Sequence, residues 1–282
     1  MSARDATPAR PVDLVGLIPA AGRATRLGEL PCSKELLPIG YQPGTRGPRP
    51  KPVSQYLLDQ YRRAGCDKAL FIVREGKWDI PNYYGCGRRF GMDLGYLLMN
   101  EPYGPPFTLA QALPFIGEAT VLLGFPDILI DPPDAFAQVL AVLHAGDADV
   151  VLASYPATAA DACDLVAGPL AQRRGPVTRL VPKEEKPGWD ADSHAWLFAC
   201  WRPTFSAFLA RDLARLRGLA AGHDPARPPE WPVGTVMASA LQAGLRLQRL
   251  HFPQGRFLDV GAPERLVGAA TFPGVWNGRG QA

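Results

Sequence analysis

The 282-residue chain lacks most of the features that would fix a protein's class at once. No apolar run reaches 18 residues, so the sequence contains no candidate membrane-spanning helix. The five cysteines (Cys32, Cys66, Cys86, Cys163, Cys200) include no close pair and total an odd number, which argues against both a zinc site and a disulfide framework. Free thiols in a reducing cytoplasm are the simple expectation. Charge of one sign is scarce: 30 Lys and Arg stand against 27 Asp and Glu, and a net +3 is too small to make nucleic acid or a membrane the main partner. The opening MSARDATPARP has no apolar h-region, so residues 1–12 are expected to be a flexible tail rather than a signal peptide. No G-x-G-x-x-G follows the first apolar segment and no G-x-x-x-x-G-K-[ST] occurs anywhere, which argues against a nicotinamide oxidoreductase and a P-loop enzyme.

Against these absences, proline (30) and glycine (29) are plentiful but dispersed, which predicts many tight loops, and the 47% hydrophobic content is ample for a core. Residues 14–18 read as a buried strand that ends at Pro19-Ala20-Ala21-Gly22, a small-residue loop able to bring backbone N–H groups close to an anion. Residues 41–51 read as a Pro/Gly/Arg surface loop, and 53–64 as an amphipathic helix capped by Gly65. Strands are expected at 69–73, 92–99, 120–123 and 150–154, and helices at 108–116, capped by Thr108, and at 134–145. The second half is less regular, with strands at 177–181, 195–201, 245–251 and 257–260 and helices at 205–216, 233–244 and 263–270. This alternation predicts an α/β fold, a doubly wound, mostly parallel mixed sheet of Rossmann-like type. Ligands in such sheets bind beyond the carboxyl ends of the strands, where the first loop and Asp127 fall. The expected organisation is one domain over 13–272, with a first half to about 155 and a second half beyond it, followed by a tail at 273–282.

The motifs, in order, resemble the sugar-1-phosphate nucleotidyltransferases over roughly residues 14–270. The family's AAGxGTRL appears as Ala20-Ala-Gly-Arg-Ala-Thr-Arg-Leu27, its lysine and LLP as Ser33-Lys34 and Leu36-Leu-Pro38, and its KP-x-x-x-Y as Lys51-Pro52 and Tyr56. Its strand-ending aspartate appears as Asp127 in LLGFPD, its EKP as Glu185-Lys186-Pro187, and its DxG as Asp259-Val-Gly261 followed by Pro263-Glu264. The spellings LIPAAG, KELLP and PD are most similar to the glucose-1-phosphate thymidylyl- and uridylyltransferases.

The resemblance implies attack by a sugar phosphate oxygen on the α-phosphorus of a nucleoside triphosphate, with pyrophosphate leaving. A phosphate oxygen is already anionic at pH 7, so the difficulty is electrostatic rather than basic. Two polyanions must meet, and positioning with cationic clamping supplies most of the rate. Ala20, Ala21, Gly22, Thr25 and Arg26 are then the nucleotide loop, with the planar fork of Arg26 on the β- and γ-phosphates and Lys34 on the α-phosphate. Asp127 and Asp259 are the Mg²⁺ ligands, one or two carboxylates being the usual protein share of such a site. Glu185 and Lys186 are assigned to the sugar hydroxyls and the sugar phosphate. Each has a plainer reading: a surface cation for Arg26 or Lys34, a helix cap for either aspartate, a solvated charge run for KEEK.

Several positions depart from the family pattern. Ala24 replaces a loop glycine, the run from Leu27 to Lys34 is short, and 41–49 is an extra excursion that either covers the site or contacts another subunit. Thr108 stands where a glycine opens the helix near the base and sugar, and Trp196 where a glycine lies beneath the sugar. No clear equivalent of a pyrimidine-reading glutamine exists, with Met99, Asn100 and Glu101 as the candidates. The favoured substrates are dTTP or UTP with glucose 1-phosphate, in a cytoplasmic enzyme without nucleic-acid or membrane partners, and the resemblance suggests a homo-oligomer. Cytidylyl or other nucleotidyl transfer to a different phosphate or phosphonate, and a non-catalytic nucleotide-binding regulator, are the alternatives.

Overall fold

The computed structural model describes residues 13–101, 103–156, 165–167, 173–181, 193–220, 229–261 and 263–276. In chain order the first half comprises β1 (Leu14–Ala20), β2 (Pro38–Gln42), β3 (Arg49–Pro52), α1 (Val53–Arg63), β4 (Lys68–Val73), α2 (Asp79–Tyr84), β5 (Asp93–Leu98), α3 (Pro105–Ala110), α4 (Leu113–Ile116) and β6 (Thr120–Leu123). There follow β7 (Ile128–Asp131), α5 (Ala135–Ala145), β8 (Val150–Tyr155), β9 (Leu165–Ala167), β10 (Arg174–Pro176), β11 (Arg179–Val181), β12 (Ser193–Trp201), α6 (Pro203–Ala220), α7 (Val233–Gln242), β13 (Leu247–His251), β14 (Arg256–Asp259) and α8 (Pro263–Ala269).

The main sheet runs β10-β13-β8-β12-β6-β1-β4-β5, with β9 and β11 paired beside β12. β6, β1, β4 and β5 are mutually parallel, β13 is parallel to β8, and only β12 and the edge strand β10 oppose their neighbours on this path. The expected mixed, mostly parallel α/β sheet is therefore what the chain forms. Its central strands are apolar along their whole length because helices cover both faces, as parallel sheets require. One face packs Leu57 and Tyr61 of α1 and Phe136 and Val139 of α5. The other packs Phe107 of α3, Leu209 and Leu213 of α6 and Met237 of α7.

The Tyr61 hydroxyl donates to the carbonyls of Leu17 at 3.0 Å and Leu122 at 2.9 Å, tying β1 to β6 just before the two loops that leave their carboxyl ends. A separate two-stranded sheet, β7 with β14, lies beyond that edge and sets Asp259 opposite Ile128.

Three local expectations change. Residues 41–51 are not one irregular loop: both ends belong to β2 and β3, which pair antiparallel, and only 43–48 connects them. The helix expected at 108–116 is two short helices, and Thr108 lies inside the first, with Gly104 as its N-cap and Pro105 at the first helical position. Asp127 does not end β6, which stops at Leu123; it sits in the turn immediately before β7.

Candidate active site

Four charged side chains from three separate stretches meet at the carboxyl edge of the sheet. Lys34 Nζ contacts Asp127 Oδ2 at 2.5 Å, with both side chains largely enclosed. Arg26 Nη2 lies 3.5 Å from Asp259 Oδ2, on the solvent side. The aspartates adjoin because β7 and β14 pair and the Val260 N–H donates to the Asp127 carbonyl at 2.9 Å.

Gly261 closes the group. Its N–H donates to Asp259 Oδ1 at 2.7 Å. A Cβ built on it would stand 2.8 Å from Asp259 Oδ1, 2.9 Å from Arg26 Nη2 and 3.4 Å from Asp127 Oδ2. One point of space is thus shared by both carboxylates and the guanidinium, and only a residue without a side chain leaves it open.

The loop after β1 supplies the remaining wall. Ala20 is buried, whereas Gly22, Thr25 and Arg26 are exposed. A Cβ on Gly22 would lie 3.8 Å from Lys34 Nζ, so the loop faces that cation. Ala24 has φ 55° and ψ 29°, the left-handed conformation, and precedes the 3₁₀ turn Thr25–Leu27. It is the one non-glycine residue with positive φ among those described. The backbone shape that a glycine would supply here is kept by an alanine.

Lys34 is presented by a reinforced turn, Lys34–Leu36. Ser33 donates through its N–H and its hydroxyl to the two oxygens of Asp79, both at 2.6 Å. Glu35 turns inward and accepts from Lys77 at 2.7 and 2.8 Å. The Ser54 hydroxyl donates to the Glu35 carbonyl at 2.6 Å and binds the turn to α1. Burial pushes the Glu35 carboxyl above its ordinary range and pulls the Lys77 amine below its own, each opposed by their mutual attraction. Burial also works against the charge on Lys34, but Asp127 outweighs it and leaves this lysine above the usual value. It is a firm cation at neutral pH.

The other sequence candidates lie elsewhere on the fold. Met99 follows β5 and its N–H donates to the Val73 carbonyl at 2.8 Å; Asn100 is exposed. The Glu101 carboxylate is held in a two-point contact by Arg217 of α6 at 2.9 and 2.8 Å. Thr108 is buried with its hydroxyl 3.4 Å from the Gly104 carbonyl. Trp196 is 4% exposed, pairs with Ser154 across β12 and β8, and its indole N–H has no hydrogen-bond partner among the described residues. Glu185 and Lys186 lie outside the described residues.

Sequence reasoning missed Glu35, Lys77 and Asp79, whose role is to hold Lys34, and the pair Ser154 and His251, 3.1 Å apart beside Trp196. Nothing in a single sequence distinguishes such partners from ordinary charged and polar residues. In the sequence Gly261 stands out only as the last residue of Asp259-Val-Gly261.

Among the described residues no group of three or more His, Cys, Asp or Glu is placed to hold a metal ion. Two carboxylates opening on one point do fit a hard cation that takes its other oxygens from phosphates and water.

No protein-family model matches the chain. It is 24% identical over 243 residues to the UTP–glucose-1-phosphate uridylyltransferase of Escherichia coli K12, covering 74% of this chain and 78% of that protein. It is 32% identical over 139 residues to the bifunctional protein GlmU of Cellvibrio japonicus, covering 49% of this chain but only 26% of that protein. A candidate glucose-1-phosphate thymidylyltransferase structure from Bacillus anthracis superposes with a TM-score of 0.71 at 15% identity, over 92% of this chain and 94% of that one. A UDP-glucose pyrophosphorylase complexed with UDP-glucose gives 0.68 at 17% identity, over 91% and 97%. At these identities the structural likeness establishes the fold.

Proposed function

We propose that this chain, a relative of the sugar-1-phosphate nucleotidyltransferases by sequence and by fold, joins a nucleoside triphosphate to a sugar 1-phosphate and releases pyrophosphate. The observation that carries the reading is the meeting of Arg26, Lys34, Asp127 and Asp259 around the open point at Gly261. The nucleotide half ends near residue 155 and the acceptor half runs from there to 272.

In this reading the loop 20–26 receives the triphosphate on backbone N–H groups, and Arg26 holds the β- and γ-phosphates where the leaving charge develops. Lys34 exchanges Asp127 for the α-phosphate, stabilising the extra negative charge as the sugar phosphate oxygen attacks in line. The P–O bond to pyrophosphate breaks as the new P–O bond forms, and no proton moves at neutral pH. Asp127 and Asp259 would hold Mg²⁺, which would supply neutralisation of phosphate charge. Glu185 and Lys186 serve the acceptor. UTP or dTTP and glucose 1-phosphate are favoured, since one uridylyltransferase relative aligns over most of its length and one structural neighbour is complexed with UDP-glucose.

A second reading of the acceptor side starts from Trp196: an indole stands where the family has a glycine beneath the sugar, which favours a phosphate other than glucose 1-phosphate. The test is a magnesium-dependent pyrophosphate-release screen of the common nucleoside triphosphates against sugar 1-phosphates and phosphonates, with Asp127→Asn as the inactive control. Release with a glucose 1-phosphate pair supports the first reading and release only with another acceptor the second. Silence with every pair leaves the nucleotide-binding regulator.

A further inference from the structure

Helix α1 carries a second polar face. Leu57, Leu58 and Tyr61 are buried in the core, while Gln55, Asp59 and Arg62 share another stripe at helical spacing. Between that stripe, the β2–β3 hairpin and the turn at 88–91 lies a cavity of about 380 Å³. Arg49, Lys51, Arg62 and Arg89 line it against the single carboxylate of Asp59.

That carboxylate is already committed. Lys51 holds it at 2.6 Å while lying 3.7 Å over the Tyr56 ring. Among the described residues Arg49 reaches the side-chain oxygen of Gln42, at 3.3 Å, in an amide pair that Gln42 forms with Gln55. Arg62 and Arg89 have no carboxylate partner among the described residues. Arg89 rests against the rings of Tyr83 and Phe90, 4.8 and 4.6 Å from their centres, which fixes its plane. Arg62 lies on the backbone at Gly91, where φ is 67° and a Cβ would come within 2.9 Å of its Nε. Three guanidinium groups with no carboxylate partner among the described residues thus face one concavity, Arg62 and Arg89 exposed and Arg49 half-buried, and their summed positive potential favours an anion there.

We propose that this cavity is an anion site for a small phosphorylated molecule, separate from the transfer site. Planar forks match phosphate oxygens in two-point contacts, and the volume suits a ligand of metabolite size. The amides of Gln42 and Gln55 and the ring of Phe90 supply polar and apolar surface for the part beyond the phosphate. No residue is shared with the group around Gly261. The two places are nonetheless joined along the chain: β2 begins at Pro38, directly after the Lys34–Leu36 turn, and the Val53 N–H donates to the Leu37 carbonyl at 2.9 Å. An occupant that draws the hairpin onto α1 therefore bears on the turn that presents Lys34; this consequence, unlike the site itself, rests on the transfer reading above.

The test is calorimetric titration of the full-length chain with inorganic phosphate, which needs no turnover. Saturable binding is expected in the native chain and in Arg26→Ala, and at least about tenfold weaker binding in R62A/R89A with an unchanged Tm. Partial recovery is expected in R62K/R89K, which keeps the charge but not the fork. The proposal is overturned if the native chain shows no saturable binding, if R62A/R89A binds as the native chain does, or if Arg26→Ala alone abolishes binding. A change in pyrophosphate release on adding phosphate, lost in R62A/R89A, is the separate sign of coupling.

Discussion

At the scale of single residues, Gly261 is the position on which the site depends most narrowly. A methyl group there would overlap the positions of Asp259 Oδ1 and Arg26 Nη2 at under 3 Å, so one or both must move. Gly261→Ala is expected to keep the fold, since the residue sits in a turn at the edge of the sheet, but to lower kcat by about tenfold or more through misplaced charges. Thermal unfolding and pyrophosphate release measured together check this; native turnover in the alanine variant would remove Gly261 from the site. Lys34 and Asp127 were readable in the sequence by residue type and order. Their contact was not, because nothing in a one-dimensional string says that the turn after β6 folds back to the turn before β2. Thr108 and Glu101 show the converse. Both have chemistry suited to reading a base, yet one hydroxyl lies against its own helix and one carboxylate is occupied by Arg217.

At the scale of elements, two short turns do the positioning, and each makes a prediction. The left-handed conformation of Ala24 costs a residue with a Cβ about 1–2 kcal/mol, partly offset because alanine has less freedom to lose than glycine. Ala24→Gly should therefore stabilise the chain by up to about 1 kcal/mol, and Ala24→Val should destabilise it; chemical denaturation measures both. Equal stability of all three would mean that the loop relaxes without cost. The Lys34 turn hangs on Asp79, which accepts two hydrogen bonds from Ser33. Asp79→Ala should cost about 1.5–3 kcal/mol of stability and reduce turnover by loosening Lys34, although Asp79 touches no reacting group. Loss of stability with kcat intact would make Asp79 a purely structural residue. The elements themselves were largely legible, because α1 and α5 are long and β4, β6 and β8 are apolar runs bounded by turn or polar residues. The hairpin β2–β3 was not, because five prolines and three glycines between 38 and 52 mask a strand signal that only pairing reveals. β7 escaped for a related reason: four residues after a turn carry no period, and their partner β14 is far away in sequence.

At the scale of the whole molecule, the β8–β13 end of the sheet sets a pH dependence. Burial, with help from His194, Arg249 and Arg173, depresses the His251 imidazole to about 4, against the hydrogen bond with Ser154. The unfolded chain takes up that proton near pH 6.5, whereas the folded chain refuses it until about 4. More protons are bound by the unfolded state in that window, so stability falls as pH drops through it and levels off below. His251→Asn, which cannot titrate, should flatten this part of a Tm-against-pH curve. Parallel curves for the two proteins would show that His251 does not set the slope.

Sequence alone determined the class of fold and the order of the chemistry, because hydrophobic period and residue type are local properties written into each segment. It also determined that cations precede the first aspartate and that a second aspartate follows a late strand. Tertiary structure decided what those residues are to one another. The pairing of β7 with β14, the return of the β1 loop toward Lys34 and the space kept clear at Gly261 are all long-range contacts. The same holds for the arginine-lined cavity beside α1. Its cations come from a hairpin, a helix and a turn that become neighbours only when the core beneath them closes.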